Sequence, residues 1–475
     1  MSFATSPALR CRRRRLSALA ALFCCTSTVS FASATTSTAT SPCSSGGAGW
    51  CVARRIEGTV PRGELGFRFG EPLDVDGDGR ADMAAGARFK LQEKIYQNGN
   101  AAVWSGKTGA MIRDWDGEWK EGLFGHWVMP VPDLSGDGLA DLVIAAPHAP
   151  VAGRMRGIVV ARSPKTGKEI WRHEETVSEN LGWDLTLAGD QNGDGRVDLF
   201  VGAPAADTGR VYLLSGKDGT VLRTYTVPEE GGSLGWYVAA VEDLDGDGHT
   251  DLVAGAPYAT DAKGAAVSGV WVLSAASGKV LQHWTDTDHR GAFGSVVAAV
   301  GDLDGDGKGD VAVGAPGTED QSRGIPGEVR VYSATGQELR RWSGGQPGEL
   351  YGRMIIATGD LDGDGVDDLA IGAPWYRRDG ADKVGRVELR SGRSGAVLAE
   401  LFGDGADCWF GWHIRRAPDP EGRGRPTLLI GSLRHPVDGQ YGVGVLDLYV
   451  LRSPRGERSK TQRTTTRRTR RSDIK

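Results

Sequence analysis

Cysteine and histidine are scarce in this chain, six and eight of 475 residues. Beyond the first 34 residues only Cys43, Cys51 and Cys408 remain, an odd count that allows one disulfide among several pairings. A Cys43–Cys51 bond would be local, and a bond from either to Cys408 would tie the chain ends together. The histidines form no H-E-x-x-H or similar metal spacing, and no G-x-S-x-G elbow occurs. No glycine-rich phosphate loop follows a strand and opens a helix. Long apolar runs are missing too. The N-terminal one, Leu16–Cys25, is far short of the roughly 20 residues that span a bilayer. Helical periodicity is absent throughout. What is abundant is glycine, 71 residues or about 15% against roughly 7% on average, without the three-residue period of collagen. With 39% hydrophobic residues and 14 tryptophans, the chain can still build a core.

The ends differ from the middle. Arg10 and Arg12–Arg15, the apolar Leu16–Cys25 and the A-x-A site Ala32-Ser33-Ala34 predict a signal peptide over 1–34 and a secreted, extracellular protein. Residues 35–50 form a Ser/Thr/Gly linker, and residues 452–475 a basic, disordered tail of ten Lys/Arg and two acids. No apolar segment follows, so no membrane anchor is expected. The formal net charge is −5, but residues 35–451 carry about −18, which points to cations rather than nucleic acid.

Glycine has a pattern. DVDGDGRAD begins at Asp74 and returns as DLSGDGLAD at Asp133, DQNGDGRVD at Asp190, DLDGDGHTD at Asp243, DLDGDGKGD at Asp302, DLDGDGVDD at Asp360 and a decayed DPEGRGRPT at Asp419. Seven units of about 58 residues fill the chain from linker to tail. Each starts with a large residue and a glycine: Leu65-Gly66, Phe124-Gly125, Leu181-Gly182, Leu234-Gly235, Phe293-Gly294, Tyr351-Gly352 and Phe410-Gly411. The aspartate loop follows, then an apolar run into a Gly-Ala-Pro type turn, an alternating strand, a tight glycine turn, and a last strand. That last strand carries Trp115, Trp171, Tyr225, Trp284 or Trp342 in the first five units. Four short strands per unit, repeated radially, predict an all-β, seven-bladed propeller over 51–451. Residues 51–60 read as a last strand without its first three, and the seventh unit ends at its third strand, GVGVLDLYVL from Gly442. The N-terminal strand is therefore expected to complete the seventh blade and remove the open edge. Length alone suggests about three domains; the repeat makes it one ring.

The recurring Phe-Gly, DxDGDGxxD and Gly-Ala-Pro order resembles the FG-GAP repeat, and seven in register resemble the β-propeller of integrin α subunits. The resemblance covers about residues 51–451. It implies a binding or adhesion module, and it does not extend to leg domains or a membrane helix.

The aspartate loops offer oxygen donors at positions 1, 3, 5 and 9, with glycines at 4 and 6 for the positive-φ backbone that gathers them. Oxygen-only ligands in a flexible loop suit Ca²⁺ better than Mg²⁺. The expected ligands are Asp74, Asp76, Asp78 and Asp82; Asp133, Ser135, Asp137 and Asp141; Asp190, Asn192, Asp194 and Asp198; Asp243, Asp245, Asp247 and Asp251; Asp302, Asp304, Asp306 and Asp310; and Asp360, Asp362, Asp364 and Asp368. The resemblance implies a backbone carbonyl from position 7, which is Arg80, Leu139, Arg196, His249, Lys308 or Val366. Ser135 and Asn192 each weaken a site by one charge. The seventh loop, with Arg423 at position 5 and Thr427 at position 9, is expected to be empty, leaving about six structural Ca²⁺ ions.

The Phe-Gly and Gly-Ala-Pro ends share the face opposite these loops. There the aromatic and arginine side chains of Trp375, Tyr376, Arg377 and Arg378, with Phe89, Tyr96, Trp119 and Trp409, are the expected partner contacts. The reading is a monomeric binding module for an extracellular protein or glycan, without catalysis. The other class considered is a carbohydrate-active or other hydrolytic enzyme on the same scaffold.

Overall fold

The computed structural model describes residues 49–89, 98–176, 180–204, 209–227, 232–260, 268–286, 292–317 and 325–452. The expected signal peptide, nearly all of the linker, and the tail beyond Arg452 lie outside them, as does Tyr96.

No helix occurs among the described residues, and the strands form seven radial sheets, apart from the short hairpin of Pro150–Val151 and Arg154–Met155. Blade 2 is typical: Trp127–Val131, Asp141–Ala146, Ile158–Arg162 and Glu169–Glu174 lie side by side from axis to rim, all antiparallel. Blades 3 to 6 repeat this order. Blade 1 has three regular strands, Met83–Ala87, Asn100–Trp104 and Met111–Asp116. Its axial position is filled by residues 65–73 through isolated bridges such as Leu65 to Ala87 and Leu73 to Asp82. Gly70 and Pro72 fall in that segment, and proline cannot donate to a ladder.

The ring closes as the repeat predicts. Gly49–Glu57 pairs antiparallel with Val445–Arg452, whose neighbours inward are Thr427–Ser432 and Phe410–Arg416. Arg55 clamps the seam, its Nε 2.7 Å from the buried Asp447.

Three side-chain devices join neighbouring blades. Burial concentrates between the sheets, where alternate strand residues from two blades interdigitate, as in the cluster of Val159, Ala161, Leu199 and Val201. At the rim, the bulky residue of the last strand in blades 1 to 3 reaches the next blade's glycine turn: Trp115 Nε1 donates to Gly167 O (3.2 Å), Trp171 Nε1 to Gly216 O (2.7 Å), and Tyr225 OH to Ala275 O (2.7 Å). At the axis, the glycine of one Gly-Ala-Pro turn lies against the large-residue–glycine pair of the following blade. A Cβ on Gly255 would sit on the carbonyl oxygen of Gly294. The same glycine of the large-residue pair has φ of +81° to +87° in all seven blades.

Candidate metal loops and partner face

The aspartate loops cap one end of each blade, between the axial strand and the next. Backbone N–H groups pre-form them. In the fourth loop Asp243 accepts from the N–H of Gly246 (2.6 Å), Asp247 (3.1 Å) and Gly248 (2.7 Å), while Asp247 accepts from His249 N–H (3.0 Å). The loops at Asp302 and Asp360 repeat the pattern. These N–H donors, led by the position-6 glycine, hold Asp190, Asp243, Asp302 and Asp360 below the ordinary carboxylate range. Each carboxylate keeps lone pairs for a cation.

Side chains converge in the four loops that carry all four carboxylates. Oxygens of Asp74, Asp76 and Asp78 lie within 4.8 Å of one another, as do those of Asp302, Asp304 and Asp306. In the other two the sets are Asp243, Asp245 and Asp251, and Asp360, Asp362 and Asp368. Asp133 and Asp137, like Asp190 and Asp194, share their loops with Ser135 and Asn192. Asn192 Nδ2 donates to Asp194 Oδ2 (3.1 Å), and Ser135 Oγ donates to Asp133 Oδ1 (3.4 Å).

Position 9 does more than the spacing suggests. Asp82, Asp198, Asp251, Asp310 and Asp368 are fully buried and Asp141 nearly so. In most blades one oxygen receives the N–H of position 2 and the other the N–H of the rim hairpin, as when Asp251 binds Leu244 N–H (2.9 Å) and Ala275 N–H (3.1 Å). Asp141 Oδ1 and Asp310 Oδ1 are buried without such a donor. Burial pushes Asp82, Asp251 and Asp310 up to about 6. Position 7 also has a side-chain role that sequence reasoning missed: it reaches back to the preceding blade's loop. Arg196 Nη1 donates to Asp133 O (2.7 Å), Lys308 Nζ to Leu244 O (2.7 Å), and Leu139 packs under Gly77.

The seventh loop carries its own cation. Arg425 Nε and Nη2 lie 2.9 and 2.7 Å from the two oxygens of Asp419, holding that carboxyl down to about 2 against the opposing effect of burial. Arg423 instead pairs with Glu421 at 3.1 Å.

On the opposite face the expected partner residues divide. Trp375 and Trp409 are only 8% and 9% exposed, packed with Phe67, Leu350, Trp412 and Leu433 under Lys383 and Arg434. Although both were expected as partner contacts, here they shield strand ends. Tyr376 is half-buried, with Arg386 over its ring. Arg377 and Arg378 are exposed, and Phe89 and Trp119 are partly so. A further group on this face escaped the sequence reading: Asp404, Cys408 and His435 offer atoms within 4.8 Å of one another. Arg55 Nη1 already stands 3.0 Å from Asp404, so the group is an ion-pair network around a buried thiol. Cys408 is free, while Cys51 is disulfide-bonded.

Comparison with known proteins matches the repeat. An FG-GAP repeat family covers residues 124–159, 293–332 and 354–387, and an FG-GAP-like repeat family covers 190–254. Integrin alpha-V of Gallus gallus is 30% identical over 51% of this chain and 23% of its own length. Integrin alpha-5 of Xenopus laevis is 33% identical over 39% and 19%, and Integrin alpha pat-2 of Caenorhabditis briggsae 29% over 53% and 22%. The chain is an integrin α-like FG-GAP protein. It spans less than a quarter of the length of those relatives. A solved structure of BBS1N in complex with ARL6DN, soaked with mercury, superposes with a TM-score of 0.49 at 14% identity, over 85% of this chain and 97% of that one.

The FG-GAP names describe a single contact. In blades 1 to 6 the Phe-Gly glycine N–H donates to the carbonyl of the Gly-Ala-Pro glycine or its equivalent, from Gly66 to Gly86 O (3.1 Å) through Gly352 to Gly372 O (3.0 Å). In the second FG-GAP unit Ala145 replaces that glycine and still accepts from Gly125 at 3.1 Å.

Proposed function

We propose that this FG-GAP propeller is an exported binding or adhesion module for an extracellular protein or glycan, stabilised by Ca²⁺ in its aspartate loops. The observation that carries the cation assignment is the contrast among loops. Four gather three carboxylates each within 4.8 Å, whereas the loop that has lost the acids of positions 5 and 9 sets the guanidinium of Arg425 on its remaining Asp419, in the ion's place. Clustered carboxylates repel one another without a counter-charge, and oxygen donors on a hairpin fit Ca²⁺. The ligands would be the aspartates, Ser135 and Asn192 at positions 1, 3 and 5, joined by position 9 where it reaches the cluster and by the position-7 carbonyl. A bound ion of this kind supplies folding energy and holds the loop, leaving the other face for the partner.

The channel along the axis bears on the enzyme alternative. It has a volume of about 420 Å³, and its walls are largely apolar, including Met129, Val238, Val297 and Ile355. Among the described residues the one carboxylate in its lining is Glu71, whereas glycoside hydrolysis uses a carboxyl pair. This supports binding over hydrolysis. The test is capture of extracellular ligands, on protein and glycan arrays, with Ca²⁺ and with chelator. Saturable, Ca²⁺-dependent capture supports the reading, and turnover of a captured glycan would replace it with the enzymatic one.

A further inference from the structure

The residue after each Phe-Gly glycine lies at the mouth of the axial channel, and most of these side chains touch one another in turn. Trp236 and Trp183 have ring centroids 4.8 Å apart, Trp183 and His126 5.0 Å, His126 and Phe67 4.8 Å, and Phe67 and Trp412 5.9 Å. The guanidinium of Arg353 continues the series 4.2 Å over the Trp412 ring. Six of seven blades thus contribute, with Ser295 as the small exception.

The charges at this mouth do not balance. Arg68 is ion-paired with buried Asp184, which also accepts from Trp127 Nε1 (2.6 Å) and Val238 N–H (2.7 Å). Arg88 and Arg434 share Glu64, at 2.9 and 3.4 Å. Arg353 has no acidic partner among the described residues, and Arg68 and Arg88 repel it. Burial, chiefly, and those guanidinia push Arg353 down to about 10, still cationic at neutral pH. His126 is fully buried, and its ring nitrogens face no partner but the Trp183 backbone. Trp183 Nε1 is buried and unpartnered. A buried polar group left without a partner costs about 1–3 kcal/mol. Burial keeps His126 neutral, so its ring offers one N–H and one acceptor nitrogen; with Trp183 Nε1–H the mouth holds two N–H donors besides the uncompensated guanidinium of Arg353.

We propose that the channel mouth is a receptor for an acidic side chain, Asp or Glu, of a protein partner, with Arg353 as its charge partner and the His126 and Trp183 N–H groups as further donors. This rests on the reading of the Phe-Gly face as the partner face and assigns the chemistry of its centre. Guanidinium recognises carboxylate through paired, charge-assisted hydrogen bonds. A carboxylate brings a negative charge to a mouth where guanidinium groups outnumber acids. Tryptophan and arginine around a desolvated centre are the composition of protein interface anchors, which favours a protein over a sugar acid.

The test uses the whole chain in Ca²⁺, titrated separately with capped tetraglutamate, capped tetralysine and tetragalacturonate. Binding is followed by calorimetry and by the indole N–H resonances of Trp183, Trp236 and Trp412. Tetraglutamate should bind saturably and shift these resonances, and Arg353→Met should weaken it about tenfold or more, with Arg353→Lys intermediate. Arg353→Met should melt no lower than the parent, because it removes an uncompensated charge. His126→Phe provides a second variant, expected to weaken binding while keeping the ring packing. Unchanged affinity in both variants, preference for tetralysine, or binding of tetragalacturonate alone would each overturn the proposal. Failure of the broader reading looks different: a captured protein would then protect the aspartate-loop face from surface labelling.

Discussion

At the start of every axial strand two left-handed residues stand two positions apart. The second is the glycine of the Phe-Gly pair; the first is Glu64, Leu123, Asn180, Ser233, Ala292, Leu350 or Trp409, with φ of +55° to +68° except for the +52° of Ala292. Nothing in those seven identities announces a shared conformation, so sequence reading finds the glycine and misses its companion. Left-handed backbone costs a non-glycine residue about 1–2 kcal/mol, and the energy comes from the packing of the large residue that follows. In blade 5 this gives opposite outcomes two residues apart. Ala292→Gly is expected to raise stability by about 0.5 kcal/mol, the relieved strain slightly exceeding the added chain entropy. Gly294→Ala adds a Cβ at φ +86°, 2.7 Å from Gly269 O, and should cost about 2–4 kcal/mol. Denaturant melts of the two variants test both signs.

Loops and strands were legible to different degrees. The strand order, the rim tryptophans and the N-terminal strand follow from motifs in register, because each motif makes local or next-blade contacts. The irregular axial segment of blade 1 was less visible, since Gly70 and Pro72 act there against a neighbour supplied by blade 2, through the Phe69–Val128 bridge. Arg425 was hidden for the same kind of reason: the decayed repeat shows lost acids, not which cation takes their place. Arg425→Met leaves Asp419 without its partner and should destabilise by about 1–2 kcal/mol near neutral pH. With Asp419 held at about 2, that contribution is present above the ordinary carboxylate value of 3.8 and fades as pH falls through about 2. The position-9 aspartates have the opposite sign. Asp82, Asp251 and Asp310 are raised to about 6 from 3.8, so the metal-free fold is favoured at low pH and loses stability as pH rises toward 6. In chelator, the melting temperature should therefore fall between about pH 4 and 6.5, on the order of 1 kcal/mol per group. Calcium should flatten that dependence, and scanning calorimetry across the range checks it.

For the whole molecule, stability is distributed around a closed ring in which each blade contacts its two neighbours through glycine at the axis, aliphatic residues between sheets and tryptophan at the rim. The excess of glycine in the sequence is the trace of that geometry. The charge balance of the channel mouth was not legible, because the Arg68–Asp184 pair joins residues 116 positions apart and only the fold shows that Arg353 has no equivalent. On the proposed reading, the clustered carboxylates of four loops repel one another in the metal-free ring, and ions bound to the folded state alone would stabilise it by mass action. The decisive measurement is a thermal melt of the full chain in 1 mM Ca²⁺ (roughly a saturating level for weak extracellular sites) and in chelator at neutral pH. A fall of about 10 °C or more on chelation, reversed by adding Ca²⁺, is the predicted result. An unchanged melting temperature would contradict the calcium-stabilised propeller.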